Sequence, residues 1–132
     1  MKNVSIYRNI VLPLPSEMDK PIQIVLLKSA EDFVDSLDPT VKKKLFYSFR
    51  KTQERLFGDW FKKLKGTNDI FEFRIVENKK WYRLFAFWDS SHDQHTLIIC
   101  SHGFIKKTDK TPKSEIENAE MIKKDYFKNK RS

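Results

Sequence analysis

The chain has a single cysteine and no long apolar run, and each shortage excludes a class of protein. Its single cysteine, Cys100, cannot form an internal disulfide. It stands in an apolar run, residues 97–100, where a small buried side chain is expected. No apolar run approaches the roughly 18–20 residues that span a bilayer. No continuous hydrophobic segment precedes a small-residue cleavage site, so we expect no signal peptide and a cytoplasmic location.

The common signatures of catalysis and cofactor binding are also absent from the sequence. It has no Walker A motif, no dinucleotide fingerprint, no G-x-S-x-G and no HExxH. His92 and His95 stand near Asp89 and Asp93 in a polar loop, but no cysteine supports a metal site there. Polar loops often have this composition by chance. We therefore expect neither a metal nor another cofactor.

Positive charge and aromatic side chains, in contrast, are abundant. Lysine and arginine number 26 against 18 aspartate and glutamate, which gives a net charge of +8. Such an excess favours a polyanionic partner, such as a nucleic acid, the ribosome or an acidic protein, although an inert cationic surface is the alternative. With 132 residues, 39% of them apolar, the chain suffices for one domain with a core and is too short for two.

The hydrophobic pattern predicts the element order β-α-α-β-β-β-α. Residues 22–27 read as the first core strand. Ser29 is predicted to cap a short helix, Asp38-Pro39 to begin a second helix, and Gly58 to end it. After a connection over residues 59–69, strands are predicted over residues 70–77, 80–88 and 95–105, with Asn78-Lys79 as a tight reversal and a helix beginning at Thr111-Pro112.

This order indicates an α+β fold. Three consecutive strands joined by short loops form an antiparallel meander, and the helical hairpin before them can cover one face of it. A final helix follows the sheet. Residues 1–20, broken by prolines, are predicted to be an edge strand or an extended arm; residues 21–127 are the folded domain and residues 128–132 a basic tail.

Arg74 and Arg83 stand inside apolar strands, where a guanidinium must snorkel, pair or face a groove. Glu72 lies on the same strand face as Arg74, so a surface ion pair is the simplest interpretation of Arg74. Arg83 has no acidic neighbour in its own strand, where its same-face companions are Trp81 and Phe85. An arginine beside aromatic rings on an open sheet face can hold a phosphate or stack on a base.

Lysines gather where the last strand gives way to the last helix. Lys106 and Lys107 end the strand, and Lys110 and Lys113 follow. Cations at a helix N-terminus form a suitable corner for a phosphate, although a solvated turn is the alternative. His102, beside them, is either a general acid or base or a histidine with structural partners.

Together these pieces resemble the RelE/HigB-like toxins of bacterial type II toxin–antitoxin systems, in particular the phage-derived HigB-like branch of the RelE/ParE superfamily. The matching run covers residues 22–126 and leaves residues 1–20 outside. Its strongest parts are Phe71-Glu72-x-Arg74-Ile75, Tyr82-Arg83-x-Phe85 and His102-Gly103-Phe104-x-Lys106-Lys107-Thr108-x-Lys110-Thr111-Pro112-x-x-Glu115-Ile116.

The resemblance implies a twisted antiparallel sheet with two helices on one side and a basic concave surface on the other. It also implies an mRNA endonuclease that acts on the translating ribosome and inhibits translation. The expected chemistry is metal-independent attack of a ribose 2′-hydroxyl on the adjacent phosphate, whose added charge cations stabilise. The expected partners are mRNA on the ribosome and a helix-turn-helix antitoxin, with no membrane.

The resemblance also assigns roles to residues. Arg74 and Arg83 would clamp the phosphate, and Lys106 and Lys107 would stabilise charge or help the leaving group. His102 and Tyr126 would be the candidates for proton transfer. Lys110, Lys113 and Tyr126 would bind RNA.

Two other functions stay open at this point. ParE-like toxins share the fold but inhibit DNA gyrase, and a non-catalytic nucleic-acid-binding relic could keep the fold alone. The sequence does not give the codon preference, the general acid or base, the antitoxin, the oligomeric state or the role of residues 1–20.

Overall fold

The computed structural model describes the backbone of residues 6–10 and the full residues 22–91, 97–106 and 110–130. Within these ranges the chain forms six strands and three helices, and this α+β fold confirms the predicted fold class. In chain order they are β1 (Ile6–Ile10), β2 (Gln23–Leu27), α1 (Lys28–Asp35), α2 (Pro39–Gln53), β3 (Phe61–Lys63), β4 (Phe71–Glu77), β5 (Lys80–Trp88), β6 (Leu97–Lys106) and α3 (Lys113–Lys130).

All six strands form one sheet in the order β1-β2-β6-β5-β4-β3. The β4–β5–β6 meander is antiparallel, as expected, but β2 pairs with β6 in parallel, from Gln23 opposite Leu97 to Leu26 opposite Cys100. The sheet is therefore mixed rather than wholly antiparallel. Its parallel pair joins strands separated by two helices and three strands, so no tight turn imposes an antiparallel pairing.

The hairpin of α1 and α2 covers one face of the sheet, here called the hairpin face. The predicted helical stripe of α2, which includes Val41, Leu45 and Phe49, is buried there against alternate residues of β4 and β5, such as Phe73 and Leu84. These side chains form the largest apolar cluster, and its burial is the main force that fixes the hairpin on the sheet.

Helix α3 lies on the opposite face, here called the α3 face. Ala119 and Tyr126 of α3 are buried against this face, where Phe85, Phe87 and Ile99 contribute the apolar surface. The face that the resemblance left as a basic surface is therefore partly covered by the chain's own last helix. Among the described residues, no helix combines the length and the apolar character needed to cross a membrane.

Two predicted helix ends were wrong. Leu27, not Ser29, is the N-cap of α1, and Ser29 lies inside the helix, where its hydroxyl donates to the carbonyl of Ser101 at 2.6 Å. Helix α2 ends at Gln53, before Gly58, because Arg55 adopts the left-handed conformation with φ of 64°. The predicted reversal at Asn78-Lys79 is confirmed by positive φ angles of 54° and 62°, which suit a tight hairpin turn.

Candidate functional site

Strand register brings three of the predicted site residues to the α3 face. Arg74 of β4 is directly opposite Arg83 of β5, and Trp81, two residues before Arg83, is opposite Lys106 of β6. Directly paired residues project from the same side of a sheet, as do residues two apart on one strand. Arg74, Arg83 and Lys106 therefore share one face across three neighbouring strands.

A buried carboxylate holds the two arginines together. Glu72 is 1% exposed, and its Oε1 lies 2.9 Å from Nε of Arg74 and 3.2 Å from Nε of Arg83. The Arg83 side chain is 3% exposed and also donates from Nη1 to the carbonyl of Tyr82 at 3.3 Å. The Arg74 side chain is 37% exposed. Glu72 thus offsets the charge of a buried guanidinium, while Arg74 reaches the solvent.

A hydroxyl links the lysine to the same carboxylate. Nζ of Lys106 donates to Oγ1 of Thr111 at 3.0 Å, and the Thr111 hydroxyl donates to Oε2 of Glu72 at 3.4 Å. Lys106 is buried, so its ammonium depends on such partners. Because Thr111 lies two residues before the first residue of α3, the start of that helix is tied to the arginine pair.

His102 belongs to a separate group on the same face. Its Nε2 lies 3.0 Å from Oε1 of Glu115 and 3.5 Å from Nδ2 of Asn118, and both partners are on α3. The imidazole packs 4.9 Å from the ring of Phe85, which in turn lies 5.5 Å from the ring of Phe104. Phe104 is opposite Arg83, so aromatic rings stand where the histidine and arginine groups meet.

Two of the remaining predicted residues lie near the start of α3, and one lies outside the described ranges. Lys110 and Lys113 are exposed at the start of α3, and Lys107 lies outside the described residues, as do His92 and His95. Within the described ranges, no cluster of three or more His, Cys, Asp or Glu side chains could hold a metal ion.

Tyr126 is buried in the α3 layer, where its phenol donates to Oδ2 of Asp89 at 2.7 Å. Burial alone would raise the pKa of Asp89, but hydrogen bonds from Lys130, Ser91 and Tyr126 outweigh burial and lower this pKa to about 2. Burial, together with the Asp89 carboxylate, raises the pKa of Tyr126. The phenol therefore stays protonated and anchors α3 to the end of β5.

A shallow groove of about 660 Å³ gives access to the arginine pair. It lies on the α3 face, where the C-terminal half of β4 pairs with the N-terminal half of β5. Its lining consists of Asp59, Trp60, Arg74, Val76, Trp81 and Arg83.

The sequence reasoning missed the carboxylates that hold the cations. It gave Arg83 no acidic neighbour because it considered only the strand that carries Arg83. The Asn78-Lys79 turn fixes the β4–β5 register, in which Glu72 is opposite Phe85 and thus diagonal to Arg83. The contact between Glu72 and Arg83 could therefore have been predicted from the sequence. The contacts of Thr111, Glu115 and Asn118 depend on how α3 packs, for which the sequence has no comparable marker.

The family is shown by comparison with known sequences. A model of the phage-derived Gp49-like proteins (DUF891), a class of RelE/ParE-like toxins, matches residues 32–124. The match covers more than two thirds of the chain and includes Arg74, Arg83, His102 and Lys106. The chain belongs to this Gp49-like family. Its membership is consistent with a toxin and indicates an antitoxin partner. No curated protein matches the sequence.

Proposed function

We propose that the chain is a HigB-like toxin of a type II toxin–antitoxin system and that it cuts mRNA on the ribosome. The observation that carries the proposal is the gathering of Arg74, Arg83 and Lys106 on one face of β4–β6, beside an open groove. Guanidinium groups suit phosphate oxygens because they donate parallel hydrogen bonds to them. Membership of a toxin family supports the same conclusion.

The reaction would proceed by attack of a ribose 2′-oxygen on the adjacent phosphorus. The 2′-hydroxyl loses its proton, the bond from phosphorus to the 5′-oxygen breaks, and that oxygen takes up a proton. The products are a 2′,3′-cyclic phosphate and a 5′-hydroxyl. Negative charge grows on the phosphoryl oxygens during the attack, so cations fixed in advance lower the barrier.

The three cations would have different roles because their side chains differ in solvent exposure. Arg74 contacts the phosphate directly because its side chain reaches the groove, whereas Arg83 acts from the floor, with Glu72 holding both guanidiniums in place. Lys106 adds positive charge from β6. His102, oriented by Glu115, is the candidate for proton transfer.

The test is to induce the chain in bacteria and map the 5′ ends of transcripts, with and without translation. We expect new ends inside reading frames that vanish when translation is blocked. Arg74→Ala and Lys106→Met should reduce the cuts, whereas Arg50→Ala should not. Arg50 is the matched control because it is an exposed arginine of α2 paired with Glu54. Growth arrest with intact transcripts would contradict the proposal.

One observation favours the alternatives in which the chain does not cut RNA, namely a ParE-like gyrase inhibitor and a non-catalytic relic. Arg83 and His102 are both buried and each faces a carboxylate, as residues kept for the fold would be. These alternatives predict DNA damage signalling, or no arrest, with transcripts intact. The same induction experiment separates them from mRNA cleavage.

A further inference from the structure

We propose that the indole of Trp81 is the stacking platform for one unpaired RNA base, in the groove beside Arg74. This inference rests on the proposed function and names the part of the RNA that the groove recognises. It assigns a recognition role to a residue that carries no charge and takes no part in proton transfer.

Trp81 has the placement that such a platform requires. It is opposite Val76 of β4 on one side and Lys106 of β6 on the other, and it precedes Arg83 by two residues on the same face. Its side chain is partly exposed and lines the groove together with Arg74 and Arg83. A base on this indole would therefore lie next to a phosphate on Arg74.

Among the described residues, the side chains of the other two tryptophans have specific partners, and the Trp81 side chain differs from them. Nε1 of Trp60 donates to Thr52 at 3.2 Å, and Nζ of Lys51 lies 3.6 Å from the centre of its ring. Trp88 packs against the apolar cluster of the hairpin face. For the Trp81 side chain, the described part of the chain provides no hydrogen bond, ion pair or aromatic partner.

The surrounding charge favours RNA over a protein as the occupant. Arg74 of β4 and Lys106 of β6 flank the strand that carries the indole, and Arg83 is two residues along that strand. The groove lining contains two arginines against one acidic residue, Asp59. An aromatic ring set in a cationic groove is the usual arrangement for single-stranded nucleic acid, because bases stack while the backbone follows the charge. Among the described residues that line the groove, Val76 is the exposed aliphatic side chain.

Binding of short RNA tests the inference without requiring cleavage. The probes are fluorescent single-stranded RNAs with 2′-O-methyl groups, which cannot be cut, and matched RNAs with one abasic position each; affinity is read by anisotropy. Trp81→Ala should weaken binding of the intact RNA by about 5- to 150-fold, the value of one stacked base. When one particular base is missing from the RNA, the affinity of the wild type should fall by the same factor. Trp81→Ala should bind this abasic RNA as tightly as it binds the intact RNA.

Two variants keep the experiment interpretable. Trp81→Phe preserves a stacking ring and should retain most of the affinity. Tyr47→Ala removes an aromatic side chain that is 63% exposed on α2 and does not line the groove, and it should leave the affinity unchanged. Thermal melts of all variants establish that each is folded at the assay temperature.

Equal losses by Trp81→Ala on intact and abasic RNA would overturn the inference, as would no binding of any probe by the wild type. Unchanged RNA affinity combined with relief of growth arrest would overturn it too, because Trp81 would then contact a protein. Failure is distinguishable from failure of the proposed function. If transcripts are cut but the effect of Trp81→Ala is the same on intact and abasic RNA, only the stacking role is rejected. If one abasic position cancels the effect of Trp81→Ala but transcripts stay intact, only the cleavage is rejected.

Discussion

Glu72 is the residue whose replacement tests the site most sharply. Its carboxylate is 1% exposed and lies within 3.2 Å of Nε of both Arg74 and Arg83. Glu72→Gln keeps the shape of the side chain and one acceptor oxygen but removes the negative charge. Arg83, whose side chain is 3% exposed, would then carry a buried charge without this counter-ion.

The expected loss follows from the burial of the pair. Removing one partner of a buried ion pair costs about 3–5 kcal/mol, because the remaining charge is left uncompensated. For a chain of 132 residues, the entropy of unfolding is about 0.28 kcal/mol per kelvin, so the melting temperature should fall by about 11–18 °C. Arg74 adds little to this loss because water can solvate its exposed side chain.

Chemical and thermal denaturation measure the effect, with two variants for comparison. Glu54→Gln breaks the exposed pair with Arg50 on α2 and should cost at most about 1 kcal/mol. Glu72→Gln combined with Arg83→Met removes both buried charges and should recover most of the lost stability. A cost below about 1 kcal/mol for Glu72→Gln would refute the reasoning, as would a double variant no more stable than Glu72→Gln alone.

Three further predictions concern other parts of the fold. The pKa of Asp89 is lowered from 3.8 to about 2 in the folded protein. The contribution of Asp89 to folding stability is therefore complete above about pH 4 and is lost as pH falls through 2. Asp89→Asn should therefore cost about 2 kcal/mol at pH 7, and urea titrations should show this difference shrinking toward pH 2; a constant difference would contradict it. Gly103→Ala should destabilise the fold by about 1–3 kcal/mol, because a Cβ there would lie 2.3 Å from the Phe33 ring. The cost should be smaller in a Phe33→Leu chain, and an equal cost in the wild type and in Phe33→Leu would contradict the prediction. Burial raises the pKa of the Cys100 thiol, so a thiol reagent should label it only on unfolding; rapid labelling of the native protein would contradict this.

Short-range signals in the sequence were enough to predict most of the elements. The apolar stripe of α2, the alternation in β4 and β5 and the reversal at Asn78-Lys79 each arise from neighbours within a few residues. The same signals placed Arg74 and Arg83 in adjacent strands. From the register of that hairpin, their position opposite each other could also have been predicted.

The features that the sequence did not predict depend on long-range packing. The parallel pairing of β2 with β6 and the docking of α3 bring together residues far apart in the chain, such as Glu72 with Thr111 and His102 with Glu115. Nothing local distinguishes a glutamate that holds a buried arginine from one on a solvated strand. Gly58 illustrates the same point, because it accommodates the Trp60 ring rather than ending a helix.

The most direct test of the proposed activity uses the purified chain, ribosomes and a 5′-labelled mRNA. The account predicts cleavage only when ribosomes translate the mRNA, with a 2′,3′-cyclic phosphate at the new end. A single 2′-deoxy nucleotide on the 5′ side of the cut should abolish cleavage at that position, because the attacking oxygen is then missing. Intact mRNA on translating ribosomes, or a cut that persists beside the 2′-deoxy nucleotide, would contradict the account.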